Sequence, residues 1–154
     1  MEVRRVRDAS ALARLNLEVQ SFHRDMRPEA FKDLDFEATY RAMTELLSYE
    51  GVEVFIAFDG EAAVGYAITR RWKYAENPYR PEYHALEIDQ MGVTASSQRQ
   101  GVGTLILEAI KEYAAAQGYR RLELSVWSAN AGAKALYRRA GFETFTERME
   151  LSLE

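Results

Sequence analysis

Residues 98–104, with the sequence Gln-Arg-Gln-Gly-Val-Gly-Thr, are the most informative stretch of this chain. They follow an apolar, strand-like run that ends near Val93, and they open a pattern typical of an amphipathic helix. The first backbone N–H groups of a helix have no partner within it, and the helix dipole adds partial positive charge there. Gly101 and Gly103 remove side chains that would keep a phosphate group from those amides. The stretch therefore predicts a site for a phosphorylated ligand.

Two common phosphate-binding patterns fit this stretch poorly. A P-loop places a lysine after its last glycine, but here Gly103 is followed by Thr104 and Leu105. A dinucleotide-binding loop places a third glycine where this chain has Ile106, although Glu123 stands where its ribose-binding acid is expected. Because the glycines come late in the chain, no second βαβ half follows them. A nicotinamide-dependent enzyme is therefore disfavoured.

Length and composition indicate one globular domain over residues 1–154. A chain of 154 residues is one domain by size, and its 47% hydrophobic and 29% charged residues are ordinary values. No apolar run approaches the roughly 20 residues that span a bilayer, and the start lacks a signal peptide's apolar segment. The net charge of −4 disfavours a nucleic-acid binder. We expect a cytoplasmic enzyme with no membrane or nucleic-acid partner.

Cysteine and histidine usage narrows the possible chemistry. The chain has no cysteine, which excludes disulfides, thiolate metal sites and a cysteine nucleophile. His23 and His84 are its two histidines, and we interpret them as ordinary polar side chains. We therefore expect no metal site.

Hydrophobic periodicity and turn residues predict the element order β-α-α-β-β-β-α-β-α-β. The Asp59-Gly60 dipeptide predicts a tight hairpin, and caps at Asp8, Asp35 and Asn130 predict three helix starts. The predicted strands cover residues 3–6, 52–58, 62–72, 84–93, 121–127 and 142–153. A helix over 101–117 joins strands 84–93 and 121–127, and such a crossover makes them parallel. The fold class is therefore α/β: a single domain with a mixed sheet and helices on both faces.

Two motifs give the chain its resemblance to the GNAT superfamily of acyl-coenzyme A N-acyltransferases. Residues 98–103 resemble the Gln/Arg-x-x-Gly-x-Gly/Ala signature of that family. Residues 130–137, followed by Gly141 and Phe142, resemble its Asn-x-x-Ala-x-x-Leu-Tyr…Gly-Phe signature, with alanine at both 133 and 135. The N-terminal half matches by layout only, and in the family that half shapes the acceptor pocket. The resemblance implies an N-acetyltransferase domain over nearly the whole chain.

The resemblance also implies how acetyl-CoA binds, with no metal involved. Its pyrophosphate rests on the main-chain amides of the glycine stretch, and Gln98 lies near the pantetheine arm. That arm lies between two parallel strands that splay apart, where an extended ligand can pair as an added strand would. Asn130 has two compatible roles, as a helix N-cap and as a coenzyme contact. The implied coenzyme-binding residues are Met91, Val93, Gln98, Arg99, Gln100, Gly101, Val102, Gly103, Thr104 and Asn130.

The implied reaction is direct attack of an amine on the thioester. An alkylamine has a pKa near ~10.4 and is mostly protonated at neutral pH, so a base is needed. Glu87 is the candidate base because several family members carry a glutamate at this position. Asp89 or a water molecule is the alternative. Asp89 lies on the same strand face as Glu87 if no bulge intervenes between them. A main-chain N–H would stabilise the oxyanion. Tyr137 matches the family's proton donor to the leaving thiolate.

The acceptor that the resemblance implies is a primary amine of a small molecule or a peptide. Ser125 stands where enzymes that acetylate protein N-termini often carry a glutamate, which disfavours that activity. Acidic residues in segments that could border the pocket would suit a cationic amine: Glu29, Asp33, Asp35, Glu50 and Glu82. Because many family members dimerise through strand or helix edges, we also expect a homodimer. The alternative function is a non-catalytic acyl-CoA sensor or interaction module on the same fold.

Overall fold

The computed structural model describes residues 1–30 and 35–154. The strands are β1 (Glu2–Arg5), β2 (Val52–Asp59), β3 (Ala62–Tyr74), β4 (Tyr83–Val93) and β5 (Leu122–Leu124). The helices are α1 (Ala9–Met26), α2 (Phe36–Leu47), α3 (Val102–Ala116) and α4 (Ala131–Arg139), and a 3-10 turn covers Ala95–Ser97. Within the described ranges, none of the helices is long and apolar enough to span a bilayer.

The described strands form a five-stranded sheet in the order β1-β2-β3-β4-β5. Neighbouring strands are antiparallel except β4 and β5, which are parallel, as the predicted crossover requires. One core cluster lies between the sheet and α3 and includes Phe55, Ile88, Ile106 and Ile110. The other lies against α1 and α2 and includes Leu12, Met43, Ile56 and Ile68. The predicted fold class, a mixed sheet with helices on both faces, is confirmed.

Side-chain caps begin three of the four helices where the sequence places them. Asp8 accepts a hydrogen bond from Ala11 N at 3.0 Å, and Asp35 accepts one from Ala38 N at 2.8 Å. Asn130 caps α4 in the same way, by accepting from the N–H three residues later at 3.1 Å. Each cap satisfies an amide that has no partner inside the helix.

The predicted last strand over residues 142–153 is wrong. These residues carry no assigned secondary structure, and Met149, Leu151 and Leu153 are almost fully exposed. Alternation of apolar and polar residues specifies that one face is suited to burial, but a strand forms only beside a partner. No described part of the chain supplies that partner. Strand β5 is also shorter than the predicted 121–127, because its pairing with β4 ends at Leu124.

Candidate active site

The gap between β4 and β5 is the central feature of the site. The two strands pair only from Leu86 to Ile88 and from Leu122 to Leu124, and β4 then continues to Val93. The predicted splaying of these strands is therefore present. Beyond the last paired residues, the facing main-chain groups of β4 have no strand beside them among the described residues, and an extended ligand can pair there.

Main-chain groups of Met91 and Val93 face this gap. Thr94 N–H donates to the Val64 carbonyl of β3 at 2.9 Å. In an antiparallel ladder alternate residues bond to the same neighbour, so Met91 and Val93 direct their N–H and C=O groups to the other side. Gln98 Nε2 donates to the Val93 carbonyl at 3.4 Å, which places the Gln98 side chain at the rim of the gap.

The glycine stretch forms an open cluster of amides at the start of α3. Arg99 and Gly101 adopt left-handed backbone conformations, with φ of 61° and 82°. The first hydrogen bond of the helix is Leu105 N to Gly101 O, and no side chain caps this end. The three preceding amides, of residues 102–104, are therefore free within the helix. A Cβ on Gly101 would meet no atom within 4 Å, so the space in front of these amides is open and suits a diphosphate.

Gly103 has a packing role in addition to the one that its sequence suggests. A Cβ there would lie 2.7 Å from Leu136 Cδ2 on α4, closer than packed carbon atoms approach. The glycine therefore allows α3 and α4 to pack closely. Val102 can offer only its amide to a ligand, because its side chain is buried in the core beside α3.

Tyr137 lies on α4, packed against the core on the α3 side of the sheet. Its ring lies 5.8 Å from the ring of Phe142 in an edge-to-face arrangement. Its hydroxyl makes no hydrogen bond to any residue of the described ranges. Burial raises the pKa of Tyr137 above its ordinary value, so the hydroxyl keeps its proton at neutral pH. A protonated, unengaged hydroxyl is what a proton donor requires.

Glu87 and Asp89 share one counter-ion on the opposite face of the sheet. Arg70 Nη2 lies 3.0 Å from Glu87 Oε1 and 3.3 Å from Asp89 Oδ1. A bulge does intervene between the two carboxylates: β3 residues 68 and 69 pair with Gln90 and Ile88, which leaves Asp89 as the extra residue. Asp89 therefore lies where the gap begins, whereas Glu87 still belongs to the paired part of β4.

Glu123 is a residue of this face that the sequence motifs did not assign to it. It is the register partner of Glu87 on β5 and is only 7% exposed. Its Oε1 lies 3.4 Å from the Tyr74 hydroxyl, and its Oε2 has no hydrogen-bond partner among the described residues. Desolvation, the Tyr83 hydroxyl and this carboxylate raise the pKa of Tyr74 to about 12. The signal for Glu123 in the sequence is its position between Leu122 and Leu124. Because side chains alternate along a strand, this pattern directs Glu123 to the face opposite the two leucines.

The acidic residues that the sequence suggested for the pocket rim are engaged elsewhere. Glu29 pairs with Arg27 at 2.8 Å, Glu50 lies 3.9 Å from Arg71, and Glu82 lies 3.5 Å from Lys73. Asp35 caps α2, and Asp33 lies outside the described residues. The carboxylates that lie near the start of the gap are instead those of Glu87 and Asp89 on β4 and Glu123 on β5.

Comparisons of the sequence point to acetyltransferases. The model of the acetyltransferase (GNAT) family matches residues 16–142. A mycothiol acetyltransferase of Jonesia denitrificans is 41% identical over 71 residues, 46% of this chain and 21% of that protein. An L-methionine sulfoximine/L-methionine sulfone acetyltransferase of Pseudomonas paraeruginosa is 30% identical over 109 residues, 69% of this chain and 59% of that protein. The chain thus spans less than two thirds of the length of these curated relatives.

Solved structures share the fold. A mutant of the BH1408 protein from Bacillus halodurans is 25% identical, with a TM-score of 0.92 over 100% of both chains. The aminoglycoside N-acetyltransferase AAC(6')-Iy in complex with CoA is 16% identical, with a TM-score of 0.69 over 99% of this chain and 98% of that one. The second likeness shows the fold alone. Because the family model covers well over half of the sequence, the chain belongs to the acetyltransferase (GNAT) family.

Proposed function

We propose that this protein is a cytoplasmic enzyme that transfers the acetyl group of acetyl-CoA to a primary amine of a small molecule or a peptide. One observation carries the proposal: β4 and β5 diverge beside the free amides that begin α3. This arrangement offers an extended, amide-bearing slot that ends at an anion site. The acetyltransferase names of the relatives support the reaction class.

The chain's own groups fit both ends of the coenzyme. The amides of Val102, Gly103 and Thr104 would hold the diphosphate, beside Arg99 and Gln100 of the same turn. The main-chain groups of Met91 and Val93 would pair with the amides of the pantetheine arm. Gln98, at the rim of the gap, would contact the end of that arm that lies nearer the diphosphate. Asn130 would contribute from the start of α4. When bound, acetyl-CoA supplies an acetyl group activated as a thioester.

A carboxylate on β4 makes the acceptor reactive. An amine with a pKa near ~10.4 arrives as an ammonium ion and must lose a proton before it can attack. Glu87 is the proposed base and Asp89 the alternative, acting directly or through a water molecule. Arg70 holds both carboxylates in place through its guanidinium group.

Tyr137 and the main chain serve the other side of the reaction. The Tyr137 hydroxyl donates its proton to the sulfur of the departing thiolate. Burial raises the pKa of this phenol further above neutral pH, so the hydroxyl arrives protonated. A main-chain N–H in the gap stabilises the negative charge that develops on the acetyl oxygen.

The acceptor face favours a cationic amine. Glu87, Asp89 and Glu123 lie there with Arg70 between two of them. Trp72 and Tyr74 follow Arg70 at alternating positions of β3 and add aromatic surface, and the Tyr74 and Tyr83 rings stack at 4.2 Å. Carboxylates and aromatic rings together attract an ammonium group.

Thiol release from acetyl-CoA tests the function directly. The acceptor panel contains polyamines, aminoglycosides, amino acids and peptides, and calorimetry measures acetyl-CoA binding in parallel. We expect release with at least one amine. Binding without release for every amine would favour the non-catalytic acyl-CoA sensor instead, and absence of binding would refute both functions.

A matched pair of glycine variants tests the diphosphate site. Gly101→Val fills the space before the amides and should abolish acetyl-CoA binding. Gly60→Val is the control, because Gly60 has a φ of 62° and open space around its Cβ but lies in the β2–β3 turn. Both variants carry similar backbone strain. Equal acetyl-CoA affinities of the two variants would contradict the assignment.

A further inference from the structure

Gln90 is a neutral polar residue of β4 that the proposed reaction does not use. It directly follows the bulged Asp89 and pairs with Ile68 of β3. Its side chain is partly buried and ends in an amide, which has an oxygen that accepts hydrogen bonds and a nitrogen that donates them. The direction of each end of this amide therefore decides what Gln90 can bind.

The bulge places the side chains of Asp89 and Gln90 on the same face of the sheet. Consecutive residues of a regular strand point to opposite faces. Asp89 Oδ1, however, lies 3.3 Å from Arg70 Nη2, and Gln90 accepts a hydrogen bond from the Tyr66 hydroxyl. Arg70 and Tyr66 are four residues apart on β3, so their side chains share a face. Gln90 therefore lies on the acceptor face, next to a candidate base.

Two donors hold the oxygen of the Gln90 amide. Asn16 Nδ2 on α1 donates to Gln90 Oε1 at 2.6 Å, and the Tyr66 hydroxyl donates to the same oxygen at 3.3 Å. Asn16 and Tyr66 are buried, and Asn16 Nδ2 also donates to the Tyr66 hydroxyl at 3.0 Å. Because the three side chains satisfy one another in a largely buried contact, the orientation of the Gln90 amide is fixed.

Gly92 allows α1 to come close enough for this contact. A Cβ on Gly92 would overlap the side chain of Val19 on α1, so only glycine fits at this position of β4. Val19 and Asn16 are three residues apart and lie on the same side of the helix. Helix α1 therefore covers one side of Gln90, and the Gln90 oxygen is directed toward it.

The nitrogen of the same amide is left without a partner. Gln90 Nε2 makes no hydrogen bond to any residue of the described ranges, and it is not a buried atom there. Because Oε1 is directed to α1 and β3, Nε2 is directed away from both, toward the side of β4 where the gap opens. A donor that is held in place before the ligand arrives binds it at a lower entropic cost. Gln90 thus offers a fixed donor beside the carboxylates of Glu87 and Asp89.

We propose that Gln90 Nε2 binds a neutral oxygen of the acceptor, so that the preferred substrates are amines with a hydroxyl, ether or carbonyl oxygen close to the reacting nitrogen. The proposal rests on the acetyltransferase function and narrows its substrate class. The carboxylates of Glu87 and Asp89 attract the ammonium end, and the amide binds the oxygen. A carboxylate substituent is disfavoured, because these two negative charges repel it. Plain alkylamines and polyamines leave the donor without a partner.

Two amines that differ by one group test the proposal without turnover. 2-Methoxyethylamine and butylamine both carry one ammonium group, but an ether oxygen of the first replaces a methylene group of the second. The side-chain NH₂ signals of Gln90 in a ¹⁵N-labelled chain are identified by their absence in Gln90→Glu. We expect 2-methoxyethylamine to shift these signals well beyond the change that butylamine causes at the same concentration. Equal shifts with both amines, or none with either, would overturn the proposal, whereas an absence of turnover would count against the acetyltransferase function.

Steady-state kinetics provide the second test. The ratio of kcat/KM for 2-methoxyethylamine to kcat/KM for butylamine should fall by about 5- to 10-fold in Gln90→Glu, the range of one neutral hydrogen bond. This variant still accepts from Asn16 and Tyr66 but lacks the donor, and its added charge acts on both amines alike. Gln117→Glu, at the exposed end of α3, is the matched control and should keep the wild-type ratio. An unchanged ratio in Gln90→Glu would refute the role of Nε2.

Discussion

Gly103 on α3 lies so close to Leu136 on α4 that a Cβ on Gly103 would come within 2.7 Å of Leu136 Cδ2. The two family signatures are therefore packed against each other. Because Tyr137 follows Leu136, this contact sets the distance between the helix that begins with the free amides and the proposed proton donor. A displacement of α4 moves Tyr137 relative to the gap between β4 and β5.

Gly103→Ala should separate α3 from α4. The added methyl group overpacks the contact, and overpacking of this kind typically costs about 1–3 kcal/mol of unfolding free energy. We expect turnover to fall more than acetyl-CoA affinity, because the displaced group is Tyr137 and the amides remain. Gly132→Ala in the first turn of α4 is the control: its Cβ would meet no atom within 4 Å. Urea unfolding and steady-state kinetics compare the two, and equal stability would show that α4 accommodates the methyl group.

Tyr137→Phe should lower kcat by about 100-fold or more, in the range of a lost general acid. Acetyl-CoA affinity should persist, since the ring remains. In the wild type, burial places the pKa of Tyr137 above the ordinary value near ~10, so kcat should fall only when the pH rises through that higher pKa. The variant should lack this alkaline limb.

The control for this variant is Tyr113→Phe. Tyr113 is also a partly buried tyrosine with a raised pKa, but its ring packs edge-on against Phe55 under α3. We expect it to keep both kcat and the alkaline limb. Unchanged turnover in Tyr137→Phe would remove this residue from the mechanism.

Glu87→Gln and Asp89→Asn decide which carboxylate is the base. Loss of the base should lower kcat/KM by about 100-fold or more, because an amide cannot accept the proton. Loss of the other carboxylate should cost far less, since Arg70 still positions the base. Glu82→Gln, on an exposed residue paired with Lys73, is the control. If both amide variants keep kcat/KM near that of the wild type, the base lies elsewhere.

Features with local causes could be predicted from the sequence. Asp8, Asp35 and Asn130 cap helices through contacts three residues away, and Asp59-Gly60 needs only its own backbone to turn the β2–β3 hairpin. The crossover through α3 also follows from the order of the elements. From these features, the sheet and the position of the glycine stretch beside it could be predicted.

Features that depend on pairing between distant segments could not be predicted. The bulge at Asp89 arises where β4 pairs with β3, some twenty residues away, and it decides which carboxylate lies at the gap. The role of Gly103 depends on Leu136 in a later helix. The alternation at 149–153 predicts a strand of this chain, and the prediction is wrong because alternation indicates a face suited to burial and does not specify the strand beside it.

The buried polar contact between α1 and the sheet provides a stability prediction. Asn16 Nδ2 donates to Gln90 Oε1 at 2.6 Å and to the Tyr66 hydroxyl at 3.0 Å, and Asn16 is nearly fully buried. Asn16→Ala removes both bonds and leaves a small cavity, so the unfolding free energy should fall by about 2–3 kcal/mol. Tyr66→Phe leaves the Asn16–Gln90 bond in place and should cost only about 1 kcal/mol.

Urea unfolding of the two variants checks this order. Ser21→Ala, at an exposed position of the same helix, is the control and should stay within about 0.5 kcal/mol of the wild type. Because Gln90 follows the bulged Asp89, the contact also holds the strand where the gap begins, and Asn16→Ala should weaken acetyl-CoA binding as well. A larger loss of stability for Tyr66→Phe than for Asn16→Ala would show that the tyrosine hydroxyl, and not the asparagine, organises this contact.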